Sequence, residues 1–330
     1  MDGLRGLAAL SVVAFHLKSQ GMYPAGLGNP AVDLFFMLSG FVIADAYAKR
    51  IPDLGLWGFV KIRMARLYPT YGLSLLIVPG FTLFIWAIST MPPDAWRVFA
   101  SIPFQALYLP SPPAIVPDGR PAFFINGPGW SLFWEMLINI AYVLALPLLR
   151  TRVLVAVIAV SGAALVGASV AGFDILEGSD WPTWWLGGLR VFFSFPLGVL
   201  LHRLPRASFD TPFVVLAALT ALSAFVDPLL ALFAVLPLTV WLSTGCRSTS
   251  TIATGLGELS YPVYALHVPL FDPLGWAADR VLHLDAATRG PFLFLGVCLI
   301  SWAVLVAWDR PVRGWLGARA RRVKAALALT

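Results

Sequence analysis

Arg5 and His16 stand eleven residues apart within DGLRGLAALSVVAFHL, and every residue between and just around them is apolar or small. At about 100° per residue, eleven steps make roughly three full turns. The two side chains therefore share one helix face, about 16 Å apart along the axis. A guanidinium and an imidazole are costly in so apolar a segment and read as functional by default. The imidazole exchanges protons near neutrality, with an unperturbed pKa of about 6.5, while the guanidinium stays charged. The pair suits a site that reaches from the membrane surface toward the middle of the bilayer. A lone membrane histidine can simply make an interhelical hydrogen bond, but His16 does not stand alone.

Further along, FVKIRMARLYPTY sets Arg63 and Arg66 three residues apart at the entrance to an apolar run, with Tyr68 and Pro69 following. That spacing puts both guanidinium groups on one helix side, where they can clamp phosphate oxygens, although topological anchoring uses the same residues. VDLFFMLSGF opens another run with Asp33, expected near the external interface, and carries Ser39 deeper. GPGWSLFWEMLINIAY puts Glu135 about one and a half turns inside its run. A buried Glu needs a partner, and Arg5, His16 or Arg190 are the candidates. Trp130 and Trp134 can stack on a sugar ring or belong to an aromatic belt. In LGELSYPVYALHVPL, Ser260 and His267 lie seven residues apart on nearly one face, with Tyr261 and Tyr264 beside them. His267 is either catalytic or a structural hydrogen-bonding group. No two histidines have helical ligand spacing and no acidic cluster accompanies them, so no metal site is expected.

These groups must be held by membrane helices. Of the 330 residues, 59% are hydrophobic and 12% charged, with a mean hydropathy of +0.81; a soluble domain carries about 25% charge. The expected fold is an all-α polytopic bundle of about ten transmembrane helices, forming one domain over residues 1–330 with no appended soluble domain. Spans are expected near residues 4–22, 31–48, 67–89, 129–149, 153–172, 183–201, 211–227, 229–245, 258–276 and 290–308. The first has no basic leader or cleavage pattern and reads as a retained helix, not a signal peptide. With the first span running outward, 17 of the 23 basic residues fall on one side, and that bias puts both termini in the cytoplasm. The net charge of +6 is thus a topology signal, not a nucleic-acid stripe. Residues 90–128 are Pro-rich, hold one expected interfacial helix over 94–107, and should lie outside, as a cover for an acceptor site or a passive connector. Cys246 and Cys298 have no metal or disulfide spacing. No internal repeat supports an inverted-repeat transporter.

Taken together, DGLRGLAALSVVAFHL, VDLFFMLSGF, the RMAR pair, GPGWSLFWE, LSYPVYALH and the terminal WDRPVR resemble, in order, the acyltransferase-3 family of integral-membrane acyltransferases. The resemblance implies roughly ten membrane helices, no bound cofactor, and acyl-CoA as a cytoplasmic co-substrate, acetyl-CoA in the first instance. It further implies transfer of a short acyl group to a hydroxyl of an extracytoplasmic carbohydrate, in the inner membrane. By the same resemblance Arg5 and His16 match the residues needed for activity, and Arg63 and Arg66 match a motif associated with the CoA phosphates. Trp130, Ser131 and Glu135 match the fourth-helix pattern, and Ser260, Tyr261, Tyr264 and His267 the late-helix pattern. Two departures stand out. Relatives commonly have a longer leader before the signature Arg, so a truncated or reassigned start is expected, and Asp309 replaces a frequent Glu.

Thioester acyl transfer needs a base for the hydroxyl proton, positive charge for the polyanionic donor, and stabilisation of the developing oxyanion. His16 fits the base, and Arg5 either holds donor phosphates or positions the thioester. Glu135 either orients His16 or binds sugar hydroxyls. The donor site is assigned to Arg63, Arg66 and Tyr68. The acceptor pocket is assigned to Asp33, Ser39, Trp130, Ser131, Ser260, Tyr261, Tyr264 and His267. No GxSxG elbow is present, which favours direct transfer over a seryl intermediate and leaves an acyl-His intermediate open. The competing class is a transporter or flippase of a lipid-linked glycan, using the same buried groups as a substrate or proton pathway.

Overall fold

The computed structural model describes residues 1–18, 29–246 and 250–327. All regular structure among them is helical, as a chain immersed in lipid requires when every backbone group must be satisfied within its own segment. The elements are α1 (Asp2–His16), α2 (Asn29–Tyr47), α3 (Ile51–Ile88), α4 (Ala95–Ala106), α5 (Gly129–Ala145), α6 (Thr151–Val170) and α7 (Trp184–Arg203). They continue with α8 (Phe213–Leu222), a short α9 (Pro228–Leu230), α10 (Leu236–Ser243), α11 (Thr251–Arg280), α12 (Ala286–Val304) and α13 (Arg310–Leu327). Single π-helical turns join α9 to α10 and α12 to α13. Six described stretches are long and apolar enough to cross a membrane: Pro30–Tyr47, Ile51–Ile88, Gly129–Leu148, Thr151–Val170, Trp184–Arg203 and Ala286–Arg319. The remaining expected spans coincide with α1, α8, the α9–α10 pair and α11, which are shorter or more polar. The expected basic residue Arg247 lies outside the described residues.

One boundary differs from the sequence expectation in a way that matters for the site. The span expected from residue 67 is the later part of a longer helix: α3 begins at Ile51 and carries Lys61, Arg63 and Arg66, the last two on one helix side as their spacing predicts. Lys, Arg, Met and Ala are good helix formers, and nothing between Gly58 and Pro69 interrupts them. The break falls instead at Gly55, whose φ of 62° is open to glycine. The interfacial helix expected over 94–107 is α4. The loop after it is tied down by a fully buried network. Asn126 Nδ2 donates to Ser74 Oγ at 2.7 Å and to the Ala265 carbonyl at 3.0 Å, and the Asn126 amide donates to Gln105 Oε1 at 3.2 Å. The connection is therefore bolted to α3 and α11.

Glycine sets two helix pairings. A Cβ at Gly6 would lie 2.4 Å from Leu256 Cβ, and one at Gly257 would lie 2.4 Å from Asp2 Cβ, so α1 and α11 approach backbone to backbone. The α2–α7 pair is closer still, since a Cβ at Gly40 would fall 2.1 Å from the Phe195 carbonyl oxygen and one at Gly198 would fall 2.0 Å from that of Met37. The first pairing sets Arg5 and His16 against the Ser260–His267 face. The second sets Asp33 against Arg190.

Candidate active site

Three cavities adjoin one another through the bundle. A central chamber of about 60 Å³ is lined by Arg5 of α1, Arg63 and Arg66 of α3, Ser131 and Glu135 of α5, and Ser260, Tyr261 and Tyr264 of α11. Arg66 is shared with a basic cavity of about 730 Å³, whose wall includes Arg50, Lys61 and Arg313 with Asp53 as its carboxylate. Val32 and Tyr264 are shared with a third cavity of about 480 Å³, lined by His16, Lys18, Trp130, Arg190, Asp174 and Glu177. A helix that starts at the basic end and reaches the third cavity eleven residues later is what the Arg5–His16 spacing predicts.

Inside the chamber, Glu135 accepts from Arg63 Nη2 and from Ser39 Oγ, the latter at 2.9 Å. The partner expected for Glu135 among Arg5, His16 and Arg190 is thus replaced by Arg63. Arg190 is committed elsewhere, and Arg63 and Glu135 project toward each other across the α3–α5 contact. With side-chain exposures of 4% for Arg63 and 17% for Glu135, the pair is largely shielded from water. The two arginines of the RMAR pair therefore differ: Arg63 is neutralised by Glu135, and exposed Arg66 stands between the chamber and the basic cavity. Three guanidinium groups against one carboxylate leave the chamber positive. Ser131 Oγ donates to the Pro128 carbonyl at 3.0 Å. Its one hydroxyl proton is then spent, so Tyr264 OH is the donor in the 2.6 Å bond between them. Tyr261 OH donates to the Leu67 carbonyl and Ser260 Oγ to that of Gly257, so both hydroxyls are engaged by backbone.

His16 Nδ1 lies 2.9 Å from the Val12 carbonyl. A carbonyl can only accept, so Nδ1 carries the proton and Nε2 of the neutral ring is left with its lone pair, the form a base requires. The ring is exposed to the third cavity. His267 is fully buried, with Nδ1 within 2.8 Å of the Tyr264 carbonyl, and its ring centroid lies 4.9 Å from that of His16. His16 is therefore not the only imidazole in the bundle interior.

Two expected site residues lie elsewhere. Tyr68 follows Arg66 by two residues, about 200° around the helix, and so turns from the arginines to α4, donating to the Ala106 carbonyl at 3.0 Å. Asp33 is buried inside the bundle: it is 0% exposed and paired with Arg190 at 2.7 Å, and it accepts from Ser194 at 3.2 Å. Arg190, 1% exposed, spends its other donors on the Leu176 and Glu177 carbonyls and lies 5.3 Å over the Trp130 ring. Asp33 thus shapes the third cavity through Arg190 without lining it. Trp130 lines that cavity, whereas Trp134 packs over Gly187 and Gly188.

The acyltransferase domain of the acyltransferase-3 family matches this sequence over residues 1–308. The chain belongs to that family. Among curated relatives, this acyltransferase is 36% identical over 153 residues to "Protein 2 in picA locus" of Rhizobium radiobacter, covering 43% of this chain and 78% of that one. It is 27% identical over 314 residues to "Acyltransferase MdmB" of Streptomyces mycarofaciens, covering 81% and 77%. A shorter match, 35% over 88 residues, covers 26% of this chain and 14% of "Putative O-acetyltransferase SACOL0978" of Staphylococcus aureus strain COL. No solved structure matches. The family and these relatives support an O-acyltransferase.

Several residues that line these cavities were not legible in the sequence. Arg50, Lys61 and Arg313 of the basic cavity sit in segments that looked like topology anchors. The WDRPVR motif was the available signal for Arg313, whose ion pair with Asp309 at 2.5 Å and the bond from Thr70 to Asp309 at 2.7 Å fix α13 against α3. At the opposite end, burial and then the charges of Asp174 and Asp180 push the Glu177 carboxyl above its usual range. The rim of the third cavity is accordingly acid-lined.

Proposed function

We propose that the protein is a multi-pass inner-membrane O-acyltransferase that passes a short acyl group from acyl-CoA, entering at the basic cavity, to a hydroxyl of a carbohydrate acceptor in the His16 cavity. The observation that carries this reading is that the three cavities share walls, Arg66 between the basic cavity and the chamber and Val32 and Tyr264 between the chamber and the His16 cavity. A cation-lined space of nucleotide size leads into a narrow positive chamber and then to a histidine with a bare Nε2. Those are the anchor, the passage and the base that thioester transfer requires. Arg66 holds donor phosphate, Arg5 faces the thioester end of the chamber, and His16 Nε2 takes the proton of the attacking hydroxyl. Glu135 acts on Arg63, holding its guanidinium in the chamber wall. Both termini are cytoplasmic in this reading, and residues 1–308 at least work as one domain.

The deciding experiment is transfer from radiolabelled acetyl-CoA to candidate glycans by purified protein. Arg66→Ala should raise the KM for acyl-CoA by about tenfold or more, as expected for one lost hydrogen bond to a charged group, with little effect on acceptor KM. Arg63→Ala should instead reduce the yield of folded protein, because it strands Glu135. Unchanged donor KM in folded Arg66→Ala protein would remove the donor assignment, and glycan movement without CoA release would favour the transporter class. Topology has its own check. Cysteines placed at Ser179 and Thr288 should react with a membrane-impermeant thiol reagent in intact cells, and one at exposed Ser208 should not. Labelling at Ser208 from outside would reverse the orientation.

A further inference from the structure

His267 has no role in the scheme above, yet it is the most unusual polar group in the bundle. It is 0% exposed, its Nδ1 points back to the carbonyls of Val263 at 3.2 Å and Tyr264 at 2.8 Å, and its Nε2 has no hydrogen-bonding partner. Nδ1 is turned onto its own helix, and the His16 ring of α1 lies against the His267 ring, centroid to centroid at 4.9 Å and inclined by 62°. Tyr264 at 5.8 Å and Phe271 at 5.7 Å complete the aromatic surround. Around His16 itself, the third cavity adds Lys18, Asp174 and Glu177, together with Arg190 already held by Asp33.

The tautomers make this pairing informative. Both rings give their Nδ1 proton to backbone carbonyls, so both Nε2 atoms are acceptors and cannot bond to each other at rest. A buried acceptor without a donor is unfavourable. The missing donor appears when His16 takes a proton. We infer that His267 is a positioning residue for His16: its buried Nε2 accepts from the His16 imidazolium formed as the acceptor hydroxyl is deprotonated. This rests on the reading of His16 as the base. In the step, the hydroxyl proton moves to His16 Nε2 and the oxygen forms the new C–O bond to the thioester carbonyl carbon. The C–S bond breaks, and the departing thiolate takes the proton back from His16. His267 shares that proton in between and is unchanged at the end. The two imidazoles then titrate as a pair, and the acidic limb of the rate profile belongs to both.

The test is the pH dependence of kcat/KM in purified protein with acetyl-CoA and an accepted substrate. His267→Phe keeps a ring of similar size but no acceptor. It should lower kcat about tenfold or more and move the acidic limb to lower pH by about one unit, since protonated His16 loses its support. His267→Gln, whose amide oxygen can accept, should recover part of the rate and part of the shift. A limb that stays in place, or moves to higher pH, in a folded His267→Phe protein would overturn the inference, and so would equal behaviour of the Phe and Gln variants. His16→Gln run in parallel separates the two ideas. If it retains activity the base assignment fails, whereas if it is inactive and the His267 variants keep the wild-type limb, the positioning role alone fails.

Discussion

His16→Gln is expected to lower acyl transfer about 100-fold or more, the contribution of a positioned base. Glutamine keeps a side chain of similar reach and can still bond toward the Val12 carbonyl, now 2.9 Å from His16 Nδ1, so the α1 backbone has no reason to move. What it lacks is a lone pair that can take and return a proton. Donor binding should survive, because the basic cavity lies at the other end of the chain of cavities and shares no residue with the His16 cavity. Loss of kcat with little change in the Kd for acyl-CoA is therefore the signature, read by single-turnover transfer beside equilibrium binding. The wild-type rate should fall as pH drops through the pKa of the histidine pair, since only a neutral ring accepts. Near-normal turnover by the Gln variant, with chemistry shown to limit the rate, would shift attention to Glu135.

How much of this was legible in the sequence follows from what spacing can say. Apolar runs and their basic ends mark the helices, because burial in lipid imposes them segment by segment, and α5, α6 and α7 fall close to the expected spans. Spacing also fixes faces within one helix, which is why Arg5 and His16 lead into adjoining cavities. It does not say which helices touch. Glu135 meets Arg63 across 72 residues between α5 and α3, and Asp33 meets Arg190 across 157, the latter through the close α2–α7 approach at Gly40 and Gly198. The same blindness hid the difference between Arg63 and Arg66, which share a helix side but not a neighbour. Tyr68 was legible and misread, since two residues past Arg66 already means the far side of the helix. The contact of His16 with His267 lies between α1 and α11, where the sequence offers only Gly6 and Gly257 as hints of close approach.

The Asp33–Arg190 pair gives the largest expected effect on folding. At 0% and 1% exposure the two charges are almost wholly shielded from water, and Arg190 is bonded to Asp33 through Nε and Nη2 and to the Leu176 and Glu177 carbonyls through Nη1. Breaking a buried pair by removing one member typically costs about 3–5 kcal/mol, because the survivor keeps its charge without compensation. Asp33→Ala should therefore lower unfolding stability in mixed micelles by that amount and broaden the elution profile of the purified protein. Replacing both members by apolar side chains, Asp33→Leu with Arg190→Met, removes the stranded charge and should recover much of the loss. The recovery should not extend to activity. Without Arg190 the carbonyls of the acid-lined loop lose their donor and Trp130 loses the cation over its ring, so the wall of the His16 cavity is released and acceptor KM rises. An Asp33→Ala protein as stable as wild type would mean that the guanidinium finds water, and the cavity wall would then have to be built differently. Restored stability with acceptor KM still raised separates the two duties of Arg190, holding the helices together and shaping the surface that the acceptor meets.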